Sequence, residues 1–221
     1  MNKNIQGGLI VSCQALPEEP LHSSFIMGRM ALAAKQGGAI GIRAQGVEDI
    51  LEIEKVVDLP IIGIIKRYYN DSEIYITPTK KEIDELLQTH CFMIALDATM
   101  RPRPNGEKLQ DLVNYIHQNG RLAMADCSTY EEIMNAQNIG FDFVSTTLCG
   151  YTSYSEMIDG PNIPLIKKCV QELNVPLIAE GKIHYPHHLK AVLDAGAYCA
   201  VVGGAITRPQ EITARFVKEI K

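Results

Sequence analysis

Short apolar runs alternate along this chain with longer segments whose apolar residues recur every three or four positions. The first kind reads as buried strands and the second as one-sided helices. Eight strand candidates follow from this: Gly8 to Cys13, Ala39 to Ile42, Ile61 to Ile65, Phe92 to Leu96, Leu122 to Ala125, Phe141 to Thr146, Leu177 to Ala179 and Cys199 to Val202. Between them, Ile83, Leu86 and Leu87, or Leu109, Leu112, Val113 and Ile116, form stripes that pack on a sheet. Thr79 with Glu82 and Ser128 with Glu131 have the spacing of capping boxes, and Gly37, Gly120, Gly140 and Gly196 stand where helices end.

Strands with no polar face, each followed by a helix, imply a parallel sheet covered by helices. A doubly wound open sheet satisfies the same pattern, but no G-x-G-x-x-G follows the first strand, and eight units in 221 residues leave little for anything else. The expectation is one (β/α)8 TIM barrel domain over residues 1–221.

In such a barrel the C-terminal ends of the strands share one mouth. Here they carry Gln14, Arg43, Lys66, Asp97, Asp126, Thr147, Glu180 and Gly203. Charges at the ends of apolar runs cost several kcal/mol unless they are paired, so they need a reason. A structural ring of ion pairs is one reason; a reaction site is the other. Lys66 acts as a base only if its pKa falls through desolvation or a cationic neighbour such as Arg43, whereas Glu180 favours its charged form. Asp97 suits hydrogen bonds from its own following loop equally well. Two glycine turns, Glu180-Gly181-Lys182 and Gly203-Gly204, follow the last two strands, and the second opens onto a helix beginning around Arg208-Pro209. Amides at such turns suit a phosphate.

The remaining features narrow the choices. The net charge of −5 argues against broad nucleic-acid binding. The apolar run Leu9 to Cys13 is too short for a signal peptide or a membrane span, so a soluble cytoplasmic protein is expected. Six cysteines without a C-x-x-C pair read as reduced core thiols, although Cys127 and Cys149 follow strand ends. His184, His187 and His188 look metal-like, yet they lie beyond the seventh strand and lack a converging acid, so a surface position is expected and no metal. Arg101-Pro102-Arg103-Pro104 is a stiff basic loop, and Thr146 to Thr152 offers hydroxyls and a glycine hinge for a lid or a longer loop.

The motifs Gly-Gly-Leu-Ile-Val-Ser-Cys-Gln14-Ala, Gly-Ile-Arg43-Ala, Ile-Gly-Ile-Ile-Lys66-Arg67, Leu-Asp97-Ala-Thr-Met-Arg101-Pro-Arg103-Pro, Ala-Asp126-Cys-Ser, Ser-Thr-Thr-Leu-Cys-Gly150-Tyr-Thr, Ala-Glu180-Gly-Lys182 and Val-Gly203-Gly204-Ala-Ile-Thr-Arg208-Pro occur in this order. Together they resemble the N-acetylmannosamine-6-phosphate 2-epimerase family over the whole chain. The resemblance implies interconversion of N-acetylmannosamine 6-phosphate and N-acetylglucosamine 6-phosphate in sialic acid catabolism, on a barrel that dimerises, without metal or redox cofactor. It implies Lys66 as the group exchanging the C2 proton and Glu180 as its partner at the ring or C1 oxygen. It further implies Gln14, Arg43, Asp126 and Arg208 as substrate contacts, and Gly181, Lys182, Gly203 and Gly204 as the phosphate cradle. Two rivals remain from the residues alone: a lyase in which Lys66 forms a Schiff base, and a phosphosugar-binding sensor.

Overall fold

Each apolar run becomes a strand and each striped segment a helix. In the computed structural model, which describes residues 5–220, the order is β1 (Leu9–Cys13), α1 (Ser24–Gln36), β2 (Gly41–Gln45), α2 (Val47–Glu54), β3 (Ile61–Ile64), α3 (Lys80–Leu86), β4 (Met93–Asp97) and α4 (Leu109–Gln118). The second half continues with β5 (Leu122–Asp126), α5 (Tyr130–Ile139), β6 (Phe143–Ser145), α6 (Ile163–Glu172), β7 (Leu177–Glu180), α7 (Pro186–Asp194), β8 (Cys199–Val202), α8 (Gly204–Thr207) and α9 (Pro209–Lys218). The ends of the expected domain, residues 1–4 and 221, lie outside the described residues.

Every strand pairs in parallel with its sequence neighbour, and β1 pairs with β8 through Leu9↔Ala200 and Val11↔Val202. The sheet is therefore closed, which removes the open doubly wound arrangement.

The core has two layers, because successive strand side chains point to opposite faces. Outward-facing Val11, Ile42, Ile94, Leu96, Val144 and Val202 meet helix residues such as Ile83, Leu86, Leu112, Val113 and Ile116. Inward-facing Ile10, Ile62, Ile64, Met93, Met124, Ile178, Cys199 and Val201 fill the barrel. Burying each Ile or Leu of these layers contributes roughly 1.5–3 kcal/mol. The same alternation carries upward: two residues beyond Ile64, Met124 and Ile178 stand Lys66, Asp126 and Glu180.

Four local expectations shift. The first is β2, which runs from Gly41 to Gln45, so Arg43 sits inside the strand, registered against Ser12 and Ile62, rather than at its end. The α5 cap is the second, lying one residue later than Ser128 with Glu131. Thr129 accepts from the Glu132 amide at 3.3 Å and its own amide donates to Glu132 at 3.2 Å. Glu132 is buried and also accepts from the Ser128 amide and hydroxyl, whereas Glu131 is exposed. The third is the Gly203-Gly204 turn, which opens first on the single turn α8. Pro209 then starts α9, with Arg208 pushed out of the helical region at φ −119°, ψ 85°, as the residue before a proline usually is. The fourth, β6, is cut to Phe143–Ser145, after which Thr147 lines the mouth while Thr146 bonds the β7 backbone at Glu180. The Thr79–Glu82 capping box forms as expected.

Candidate active site

At the C-terminal end of the barrel, a cavity of about 290 Å³ is lined by Gln14, Arg43, Lys66, Glu180, Gly181, Lys182, Gly203, Gly204 and Arg208. These are nine of the ten positions expected from sequence. Asp126 is the exception: its side chain is fully buried behind Arg43.

Lys66 stands two residues past β3 because the chain folds back on itself there. The Arg67 amide donates to Tyr75 O at 2.9 Å and the Thr77 amide to Ile65 O at 2.7 Å, around an antiparallel bridge between Lys66 and Ile76. This return also brings Tyr75 into the cavity lining. The Lys66 amine is pushed down to about 8, first by desolvation and then by the positive charges of Arg208 and Arg43; Glu180 and Glu19 oppose the shift. At pH 7 about a tenth of it is neutral.

Arg43 joins two acids. Nη1 and Nη2 donate to the Asp126 carboxylate at 3.0 and 2.6 Å, and Nη1 also donates to Glu180 Oε2 at 2.8 Å. Burial by itself would lower the Arg43 pKa, but Asp126 and then Glu180 more than reverse that, so the guanidinium stays charged. Two carboxylates on one guanidinium leave a surplus of negative charge. Glu180 is accordingly raised to about 7, by burial first and by Asp126 in addition, against the pull of Arg43, Thr147 and Lys66. The mouth thus holds an amine and a carboxyl that both exchange protons near neutrality.

The side of the cavity that follows β7 and β8 is shaped by glycine turns. Gly181 has φ +100° and Lys182 φ +54°, a left-handed pair that turns the chain sharply after β7. The Lys182 amine donates to Ile158 O at 2.8 Å, tying the β6–α6 loop down beside the cavity. Arg208 Nε lies 3.0 Å from both Glu19 carboxylate oxygens and 3.6 Å from Glu211. Glu211 itself lies against Gly204.

Several lining residues were not singled out from the sequence: Tyr75 and Glu211 carried no motif signal, and Ser12 lay within the first motif without a role. His184 was expected at the surface, but it is half-buried and lines the cavity, because it lies in the short loop between the end of β7 at Glu180 and the start of α7 at Pro186, which borders the mouth. Among the described residues no group of histidines, cysteines and acids could hold a metal ion. The thiols of Cys13, Cys149 and Cys199 are pushed up to about 12 by burial, and that of Cys127 is raised well above its usual range for the same reason, which removes them as neutral-pH nucleophiles.

A closed barrel with a depressed lysine, a raised carboxyl and a glycine-walled recess at the same mouth is equipped like the acid–base enzymes of the (β/α)8 class. Within that class the chain belongs to the N-acetylmannosamine-6-phosphate epimerase family. Residues 27–221 match the family model described as "Putative N-acetylmannosamine-6-phosphate epimerase". A relative from Clostridioides difficile strain 630, described as "Putative N-acetylmannosamine-6-phosphate 2-epimerase", is 62% identical over 221 residues, covering 100% of this chain and 99% of its own. One from Staphylococcus aureus strain MSSA476, with the same description, is 55% identical over 215 residues and 96% of each chain. The solved N-acetylmannosamine-6-phosphate 2-epimerase of Clostridium perfringens superimposes with a TM-score of 0.96 at 65% identity, over 97% of this chain and 94% of that one. A thiamine phosphate pyrophosphorylase from Pyrococcus furiosus shares the fold alone, at 17% identity and a TM-score of 0.63.

Proposed function

We propose that this chain interconverts N-acetylmannosamine 6-phosphate and N-acetylglucosamine 6-phosphate by exchanging the proton at C2. The observation that carries this reading is the Lys66 amine, brought to about 8 in a cavity it shares with Glu180 and the glycine turns. Ring opening gives an aldehyde, whose carbonyl makes the neighbouring C2–H acidic. Neutral Lys66 takes that proton while Glu180, partly protonated near pH 7, donates to the oxygen at C1. Return of a proton to the opposite face gives the epimer. Loss of an enolate-stabilising donor in such a site typically costs about 3–4 kcal/mol in barrier.

The remaining residues divide binding between them. Gly181, Gly203 and Gly204 offer amides to the phosphate, and Arg208 turns to it from Glu19. Lys182 contributes charge beside the phosphate while bracing the loop. Gln14 and Arg43 meet the sugar, and Asp126 acts through Arg43. The site asks for no metal or redox cofactor, since every step is a proton transfer. The pathway that supplies this substrate is sialic acid catabolism, with the protein in the cytoplasm. A homodimer fits α9, which buries none of its residues and leaves Phe216 74% exposed; sedimentation velocity tests it.

The deciding experiment is incubation with N-acetylmannosamine 6-phosphate in deuterated water, followed at C2 by NMR. Solvent deuterium in the epimer is expected. A stable mass increase on Lys66 after borohydride is added with substrate would instead establish a Schiff base and overturn proton transfer as the lysine's role.

A further inference from the structure

Glu180 is held twice by consecutive threonines. Thr146 fixes its backbone: the Glu180 amide donates to Thr146 Oγ1 at 3.0 Å, and that hydroxyl donates to Glu180 O at 2.8 Å. Thr147, on the opposite face and lining the cavity, meets the side chain. Its Oγ1 lies 3.0 Å from Glu180 Oε2, 2.7 Å from Asp126 Oδ1 and 2.7 Å from Ser145 Oγ.

A hydroxyl has one proton, so Thr147 can donate to only one carboxylate at a time. Asp126 has other donors in both arms of Arg43, while the single proton of Ser145 Oγ is shared between Asp126 at 3.1 Å and Ala125 O at 2.9 Å. Among the described residues, the Glu180 carboxylate has besides Thr147 only Nη1 of Arg43, which Asp126 shares. Donation by Thr147 to Glu180 therefore satisfies both acids, whereas donation to Asp126 leaves Glu180 short. Bonds from a hydroxyl to an ionised carboxylate are among the strong ones, so this arrangement favours the charged acid and fixes its direction.

We propose that Thr147 is the positioning residue of the Glu180 acid, its hydroxyl setting both where that carboxyl points and how readily it loses its proton. This rests on the epimerase reading for its consequence in catalysis, but not for its physics. The groups facing Glu180 are Arg43 on β2, Lys66 after β3, Asp126 on β5, Tyr151 in the β6–α6 loop and Cys199 on β8. Of these, Arg43 and Lys66 also lower the Glu180 pKa, so Thr147 is one of three brakes on a rise that burial drives.

Thr147→Val keeps the shape and removes the hydroxyl; Thr147→Ser keeps the hydroxyl, and Thr147→Ala is the second deletion should the valine pack badly. In protein carrying 13C-glutamate, with the Glu180 signal assigned by Glu180→Gln, the carboxyl carbon is titrated without substrate. The valine and alanine variants should titrate about one pH unit above wild type, while the serine variant returns to the wild-type value. In kcat/KM, the lower break of the bell, which Glu180 sets because it titrates below Lys66, should move up by the same amount, with the Lys66 break unmoved. An unchanged or lower titration in the valine variant, or an equal shift in valine and serine, overturns the proposal. Absence of C2 exchange in the wild-type protein would remove the epimerase reading, yet the carbon titration would still decide the role of Thr147.

Discussion

Two clusters of acids and arginines occupy neighbouring strand ends, and they have opposite fates. Asp97 and Asp126 face each other across β4 and β5 in register. Asp97 is closed off by its own loop: it accepts from the Thr99 amide and hydroxyl at 2.9 and 2.6 Å and from Arg101 Nη2 at 2.7 Å, while Arg103 donates to its backbone oxygen and to Pro78 O. Every partner of that carboxylate lies within four residues. Asp126 finds its partners on other strands instead, across the barrel in Arg43 and beside it on β6 and its loop in Ser145 and Thr147, and through Arg43 it reaches Glu180. A locally satisfied acid has nothing left to offer a ligand, whereas an acid satisfied by distant strands holds those strands' side chains at the mouth. The basic loop of Arg101 and Arg103 thus braces β4 and does not line the cavity, while Arg43 does.

The largest expected effect sits at the open cluster. Lys66→Met should reduce turnover about 10²- to 10⁴-fold. It should also stabilise the fold, because burying the charged amine costs up to about 3 kcal/mol for a shift from 10.5 to about 8. The sign follows from proton binding. Below about 8 the amine is charged in both states and the penalty is full, and between 8 and 10.5 only the unfolded chain holds the proton, so the wild type gains stability with rising pH. The gap in melting temperature between variant and wild type should close over that window; a constant gap would mean that charge is not its cause.

Glu180→Gln is expected next, at about 10²-fold in kcat/KM. Because the base titrates at about 8 and the acid at about 7, only a minority of molecules hold neutral Lys66 with protonated Glu180, and wild-type kcat/KM should rise up to about pH 7, level off, and fall above about pH 8, giving a flat-topped bell. The glutamine variant should keep the rise and lose the fall. If the bell survives intact, Glu180 is not the acid.

Asp97→Asn should show the reverse pattern and the smallest catalytic effect. Denaturant unfolding should detect a loss of about 1–3 kcal/mol as Arg101 loses its buried carboxylate and keeps only Thr99 and the exposed Glu73. Turnover should stay within about threefold of wild type, the scale of a residue that does not touch the transition state. A catalytic loss as large as that of Glu180→Gln would erase the distinction between the two clusters.

Most of the barrel was legible in the chain, because strand and helix periods are local and each unit announces its own caps. Inward placement of the strand-end residues followed from the same alternation. Legibility ended where partners come from far away. Arg43 was read as a strand end, but pairing with β1 and β3 draws it inside, and its bond to Asp126 spans 83 residues. Asp126 was expected among the substrate contacts, and only the closed barrel shows that its carboxylate is buried against Arg43, which comes from the other side of the barrel. His184 was assigned to the surface with His187 and His188, but it sits in the loop between β7 and α7, which barrel closure turns onto the cavity. Glu19, which holds Arg208 from 189 positions away, carried no local signal at all.

The amino-acid order by itself determined the layered alternation, the eightfold beat of strand and helix and the ring of charged residues at one end, since these depend on neighbours a few positions apart. Tertiary structure alone decided which of those charges face one another, because closing the sheet brings together side chains that the chain separates. That proximity, with the loss of water it entails, lowers the Lys66 pKa and raises that of Glu180.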